Sequence, residues 1–272
     1  MRSATQTAKI YTPSAPAVRI AETLPFEIAE GRYAVRVARS PKEVRSALRL
    51  RFEVFNVELG SGQTPETKTR LEFDEYDFKC RHLIVVEQST GKTVGAYRLN
   101  SIETAREIGG FYSWNEFTIE DLPPEVSRCG IEIGRACIAP AHRNTKVLFL
   151  LWKGLANYLR YTGKRYFFGC CSIFTGDETV GARTYHQLKT AGHFHESFRV
   201  GPRKNAVDVS GSNPGVGAPV ELPALFNMYL RIGAKMCSPP IIDRDFGTID
   251  FFVVFDAADM NEKYRRMFFQ DL

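Results

Sequence analysis

Cys129-Gly-Ile-Glu-Ile-Gly-Arg-Ala-Cys-Ile138, continued by Ala-Pro140-Ala-His-Arg143-Asn-Thr-Lys146, is the stretch on which the fold turns. Its first part reads as a central strand stopped by Pro140, because proline has no N–H to give a ladder. Its second part opens a helix running from about Arg143 to Thr162 and closed by Gly163. Such a helix start leaves backbone N–H groups free to meet a phosphate.

Working outward, Tyr33 to Ala38 reads as a strand, Pro41 to Leu59 as a helix, and His82 to Glu87 with Thr93 to Leu99 as a strand pair around Gly91-Lys92. Downstream, Tyr166 to Ser172 is a buried strand, Thr179 to Thr190 and Leu222 to Gly233 are helical, and Thr248 to Phe255 is a last strand. This order predicts an α/β (α+β) fold, a mixed central sheet flanked by helices. Residues 1–30 are expected to be a flexible tail, and 31–272 one domain with a C-terminal extension from about 200. Gly201 to Val220, rich in glycine and proline, reads as a flexible connection or lid.

Composition sets outer limits. The 272 residues are 44% hydrophobic and 25% charged, so the chain can bury a sizeable core without staples. No apolar run approaches the ~20 residues of a membrane-spanning helix. The Ser/Thr/Ala-rich first 24 residues lack the apolar stretch of a secretory signal, although a transit peptide is a weaker reading. The six cysteines contain no C-x-x-C pair, so zinc and thioredoxin-like chemistry have no spacing to stand on, and a reducing cytoplasm is the default. A net charge of +5 leans toward an acidic partner or an anionic membrane surface.

Charge position says more. At ~100° per residue the first helix puts Val44, Leu48, Phe52, Phe55 and Leu59 on one face, with Arg51 and Glu58 inside the apolar arc. A guanidinium buried there needs a carboxylate. Glu72-x-Asp74-x-x-Asp77 is the nearest supply. It is either an exposed acidic turn beside a snorkelling arginine or part of a charged pocket for an amine-bearing substrate. Arg98, Glu132 and Arg135 add charge to strands that should be buried. By period two, Glu132, Gly134, Ala136 and Ile138 share one face and Ile133 and Arg135 the other, so Glu132 and Arg135 each need their own partner or a wet cleft. Glu132 is either a structural ion pair or a general base.

Arg143 and Thr145 at the helix start could satisfy a single phosphodiester, while the glycines that wrap a pyrophosphate are missing between Arg143 and Val147. Arg143, Lys146, Lys153, Arg160 and Lys164 form a basic stripe on that helix. It is an ordinary solvated face or a surface that steers an acidic carrier protein or anionic lipid. Nucleic acid is disfavoured, because the aromatics occupy the opposite, buried arc. Cys170-Cys171 with His186, and the His193/His195 pair, are read as core and surface residues, not as a nucleophile or a metal site.

Taken jointly, Leu50-Arg51-Phe52-Glu53-Val54-Phe55, Glu72-Phe73-Asp74-Glu75-Tyr76-Asp77, Gly95-Ala96-Tyr97-Arg98-Leu99 and Glu132-Ile133-Gly134-Arg135 resemble the GNAT-fold branch that holds acyl-homoserine-lactone synthases and long-chain N-acyl amino acid synthases. Leu150 to Leu155, Phe168 to Ser172, Leu222-Pro-Ala-Leu225, Tyr229 to Ala234 and Asp243-x-x-Phe246-Gly-Thr-Ile-Asp250 narrow the likeness to ornithine-lipid and hemolysin-like N-acyltransferases. The resemblance implies transfer of a long, often 3-hydroxylated acyl chain from acyl carrier protein to the α-amine of an amino acid, ornithine first, with no metal or redox cofactor. Cytoplasmic placement with peripheral contact at an anionic membrane goes with it.

On that reading Glu132 takes the proton, directly or through water. Arg51, Glu72, Asp74, Asp77, Arg98 and Arg135 shape the acceptor pocket. Ala136, Cys137 and Ile138 hold the thioester, while Arg143, Thr145 and Lys146 meet the phosphopantetheine. The runner-up is an acyl-homoserine-lactone synthase, which would not predict the Leu222 to Asp250 extension, or an N-acyl amino acid synthase with another acceptor. A catalytically silent acyl- or lipid-binding module is the alternative of a different class.

Overall fold

The computed structural model describes residues 26–61, 69–211 and 218–269. Its strands are β1 (Glu27–Glu30), β2 (Tyr33–Val37), β3 (Arg81–Glu87), β4 (Lys92–Ser101), β5 (Gly130–Ile138), β6 (Tyr166–Ile173), β7 (Lys235–Met236), β8 (Ile241–Asp243) and β9 (Thr248–Asp256). They form one sheet in the order β1-β2-β3-β4-β5-β6-β9-β7, with β8 hydrogen-bonded to β9. Every pairing is antiparallel except β5 with β6. The helices are α1 (Pro41–Arg51), which runs into a π-helix (Phe52–Glu58), then α2 (Ile102–Ile108), α3 (Pro124–Arg128), α4 (Thr145–Thr162), α5 (Glu178–Thr190), α6 (Ala224–Ile232) and α7 (Glu262–Phe269). The α/β (α+β) architecture expected from the sequence is what forms.

Helix α4 organises the core. Asn144 caps it by accepting from Val147 N at 3.1 Å, and Gly163, left-handed at φ 63°, ends it. Its midpoint lies almost against the sheet: a Cβ on Gly154 would stand 2.6 Å from Val35 Cγ2, so only glycine permits this approach. Trp152, 1% exposed, packs edge-on against Phe167, Tyr229 and Phe255 at ring separations of 5.8–6.4 Å.

Two irregularities open the middle of the sheet. The β5/β6 ladder covers only Gly130–Glu132 against Tyr166–Phe168, while β6 stays paired to β9 as far as Ile173. At the parting point Gly169 has φ 150°, and a Cβ there would meet the Ile133 carbonyl oxygen at 2.5 Å. On the other side, Arg98 faces Gly134 and Ala96 faces Cys137, so β5 carries one residue more than β4. Arg135 takes up the excess with φ 50°, a left-handed conformation costing an L-residue roughly 1–2 kcal/mol.

The structure corrects three expectations. The tail does not reach residue 30: Phe26 is buried and Glu27–Glu30 is an edge strand, although it lacks the apolar alternation that marks half-buried strands. Backbone pairing with β2 holds it, aided by Glu27 ion pairs to Arg36 and Arg39. Residues 1–25 lie outside the described residues. The extension beyond 200 supplies the expected last strand, β9, which lies between β6 and β7 in the one sheet. The described part of Gly201 to Val220 is not loose: Val207 N donates to Pro240 O at 3.0 Å, and Gln187 bonds both N and O of Val220. Residues 212–217 lie outside the described residues. Finally, the π-helix widens the turn after Arg51, so Glu58, placed in the apolar arc by a 3.6-residue period, projects to the surface and meets Arg143.

Candidate active site

A cavity of about 500 Å³ fills the opening between β5 and β6. One wall is apolar, with Val54 and Phe55 from the π-helix, Leu148 and Leu151 from α4, and Leu225 and Phe226 from α6. The other is polar, with Arg98, Arg135, Ser113, Glu132, Asp243 and Asp250. All of Glu132 to Ile138 borders it. The expectation that Glu132 and Arg135 face opposite sides therefore fails: the bulge at Arg135 resets the alternation, and the parting of β6 bares the edge of the strand.

Arg51 is 1% exposed, and its Nη1 donates to Asp77 Oδ1 at 2.5 Å while its Nε bonds Glu72. Arg98 bonds Asp74 and lies 3.5 Å from Asp77, and Arg135 Nη2 reaches Asp74 Oδ2 at 3.1 Å with its Nε 3.5 Å from Glu72. Three guanidiniums thus meet three carboxylates, so the buried charge balances. Burial alone would lower the Arg51 pKa and raise that of Asp77. The opposed charges outweigh it, so Arg51 is raised and Asp77 held well below the usual carboxylate range. Of these three arginines, Arg98 and Arg135 reach the cavity wall. Arg51, Glu72, Asp74 and Asp77 stand behind it, tying the first helix and the Glu75–Phe78 turn to β4 and β5.

Glu132 is 6% exposed, and its carboxylate accepts four hydrogen bonds. Oε1 takes Ser113 N at 2.7 Å and Ser113 Oγ at 2.6 Å; Oε2 takes Tyr112 N at 3.0 Å and Asn100 Nδ2 at 3.3 Å. Every lone pair of the carboxylate is therefore engaged. Ser113, whose hydroxyl is one of the four donors, also borders the cavity.

Of the residues expected at the thioester and phosphate, Ala136, Cys137, Ile138, Arg143 and Thr145 line the cavity, whereas Lys146 is exposed and does not. Arg143 is committed: its guanidinium forks onto Glu58 at 2.5 and 2.6 Å and its Nε bonds Ile138 O. The basic stripe is largely neutralised, since Lys153 pairs with Glu30 and Lys164 with Glu103.

Sequence reasoning assigned no role to Ser113, Glu116, Asp243 or Asp250. Glu116 is buried, accepting from Tyr112 Oη at 3.3 Å and from Cys170 Sγ at 3.2 Å. Burial first, then the charge of Asp250, pushes its pKa up to about 8. Burial also pushes Asp250 up to about 6. The signal for Asp250 was present: it is a lone charge next to the apolar run Phe251–Phe255. Ser113 and Glu116 sit in a short 3₁₀ turn and just after it, with no periodicity to mark them.

Residues 50–153 match the family model described as Acetyltransferase (GNAT) domain. Over 254 residues the chain is 32% identical to the L-ornithine N(alpha)-acyltransferase of Rhodobacter capsulatus, covering 87% of this chain and 94% of that protein. The protein of the same name from Brucella abortus is 30% identical over 249 residues, covering 86% and 88%. Among solved structures, the AHL synthase LasI aligns with a TM-score of 0.48 at 12% identity, over 89% of this chain and 96% of that one. With a GNAT domain and near full-length similarity to those two enzymes, the chain is an acyltransferase and belongs to the L-ornithine N(alpha)-acyltransferase family.

Proposed function

We propose that the enzyme moves a long acyl group, commonly 3-hydroxylated, from the phosphopantetheine thioester of acyl carrier protein to the α-amine of ornithine, yielding a lyso-ornithine lipid. The observation that carries this reading is one cavity in which an apolar wall and a charged wall meet along the bared edge of β5. An alkyl chain belongs against Val54, Phe55, Leu148 and Leu151. The acceptor's carboxylate belongs near Arg98 and Arg135, the guanidiniums of the polar wall, since Arg143 at the other side is bound to Glu58.

The α-ammonium must lose a proton before its nitrogen can attack the thioester carbonyl. Because the lone pairs of Glu132 are filled, the proton reaches it through the Ser113 hydroxyl, which already donates to Oε1. The N–C bond then forms, the C–S bond breaks, and the second proton shed by the nitrogen as it becomes an amide passes to the departing thiolate. With Arg143 bound to Glu58, the start of α4 keeps Thr145 and its free backbone N–H groups for the donor. That supply suits one phosphodiester better than a pyrophosphate and a further phosphate. Leu59 and Phe174, 38% and 47% exposed, border the cavity, and Val57, 60% exposed, lies on the adjoining π-helix. An apolar edge of this kind suits delivery of a lipid product to an anionic membrane.

Purified enzyme given 3-hydroxyacyl carrier protein or the matching acyl-CoA, with ornithine or S-adenosylmethionine, tests the proposal by product mass. N-acylornithine formed from the carrier-protein donor is expected. A lactone product, or equal use of acyl-CoA, would reject the acceptor or the donor respectively. Co-sedimentation with anionic vesicles should weaken in Val57→Asp/Phe174→Asp, and unchanged binding would remove the membrane role of that edge.

A further inference from the structure

Away from the balanced arginine network, the polar wall carries a charge imbalance. Asp243 and Asp250 line it, and Glu116 stands behind them, its acceptor atoms lying with those of Asp250 and with Cys170 Sγ within 4.8 Å of one another. The facing cations are few. Arg135, on β5, already serves Asp74 and Glu72, and Lys204 is an exposed side chain. Two buried polar atoms in the cavity wall lack a well-formed hydrogen bond, Oδ1 of Asp250, a residue 4% exposed, and Oγ1 of Thr248, a residue 3% exposed, although the Thr248 and Ser172 hydroxyls stand close enough to Asp250 to temper the rise of its pKa. Leaving such atoms unsatisfied costs stability, and a site that binds a ligand is where that cost is recovered.

Resting on the ornithine reading above, we propose that Asp243, Asp250, Glu116 and Thr248 form a subsite for the side-chain ammonium of the acceptor, making the enzyme selective for a basic diamino acid over its neutral isostere. An ammonium brings the charge the subsite lacks and donors for the Asp250 and Thr248 oxygens. Tyr112 sets the spacing. Its backbone N–H bonds Glu132, and its hydroxyl reaches Glu116 at 3.3 Å and Asp243 at 3.4 Å. One tyrosine side chain thus separates the proton acceptor for the α-amine from the carboxylates for the second amine. A metal fits the same atoms less well, because the Cys170 thiol donates to Glu116 and is kept protonated by burial and the neighbouring carboxylates.

The acidic groups set a pH signature. Before the acceptor binds, Glu116, and partly Asp250, hold protons near neutrality, and an arriving ammonium displaces them. The charged and titratable neighbours are Asp243 on β8, Cys170 on β6, Arg135 on β5, Tyr112 and Lys204. Preference for the diamino acid therefore rises with pH between about 6 and 8.

The test compares kcat/KM for ornithine and norvaline, which differ only in the terminal amine, in the wild type, Asp250→Asn and Thr248→Val. A site built for a hydrogen-bonding cation should favour ornithine by ~10²-fold or more. The ornithine/norvaline ratio should grow from pH 6 to 8, and Asp250→Asn should shrink it tenfold or more and flatten its pH dependence. Thr248→Val keeps the side-chain shape, shrinks the ratio less, and serves if Asp250→Asn does not fold. Equal acylation of both acceptors, a ratio the same in wild type and variants, or a stoichiometric metal whose removal abolishes the preference would overturn the subsite. No acylation of any amino acid would instead overturn the acyltransfer reading beneath it.

Discussion

Glu132 holds more of the site than a base alone would. Its carboxylate fixes the Tyr112–Ser113 turn through two backbone N–H groups, and that turn carries Ser113, Tyr112 and Glu116. Because the Ser113 hydroxyl borders the cavity and donates to a carboxylate whose lone pairs are all engaged, Ser113→Ala should slow turnover by ~10²-fold with folding retained. Rate measurements alongside circular dichroism would show this, and unchanged turnover would remove the relay. Glu116 makes a second residue-level prediction. Its pKa rises from 4.5 unfolded to about 8 folded, so the folded state holds its proton over that range while the unfolded state releases it. Stability is then lost as pH climbs from about 4.5 to 8. Glu116→Gln should flatten that part of a melting-temperature profile, and saturating ornithine should restore stability at the alkaline end.

Among the elements, the joint of α1 and the π-helix decides most. Arg51 ends α1 with its guanidinium locked to Glu72 and Asp77, and the π-helix then turns Val54 and Phe55 into the cavity and Glu58 out to Arg143. Arg51→Met leaves two buried carboxylates short of a cation, and chemical denaturation should show a loss of ~3–5 kcal/mol. A loss under 1 kcal/mol would mean that Arg98 and Arg135 suffice to hold the network. The pairing of Arg51 with this acidic cluster was legible, since a guanidinium in an apolar arc needs carboxylates and Glu72-x-Asp74-x-x-Asp77 was the nearest source. The turn of Glu58 was not, because a 3.6-residue period continues straight through a π-helix. Likewise the alternation along β5 misplaced Arg135, because an extra residue in one strand shows only against its partner strand.

For the whole molecule, the late segments complete the site and are not an annex to it. β9 pairs with β6 from Tyr166↔Asp256 to Ile173↔Ile249, and β8 and β9 bring Asp243, Thr248 and Asp250 to the cavity. A chain ending at Gly233 should therefore fail to fold cooperatively, because it strips the ladder from β6 and bares Phe167 and Phe168. A cooperative melt of that fragment would show the first part of the chain to be autonomous. What the sequence determined by itself was local and periodic: the strand stopped at Pro140, the capped helix after it, the need of buried Arg51 for carboxylates, and a pattern of segments specific to a family. Tertiary structure alone decided where β5 and β6 part, which arginines reach the cavity, and how Glu116, Asp243 and Asp250 meet. Glu116 meets Asp243 and Asp250 across more than a hundred positions, through strand registers, and neither composition nor period in one chain encodes a register.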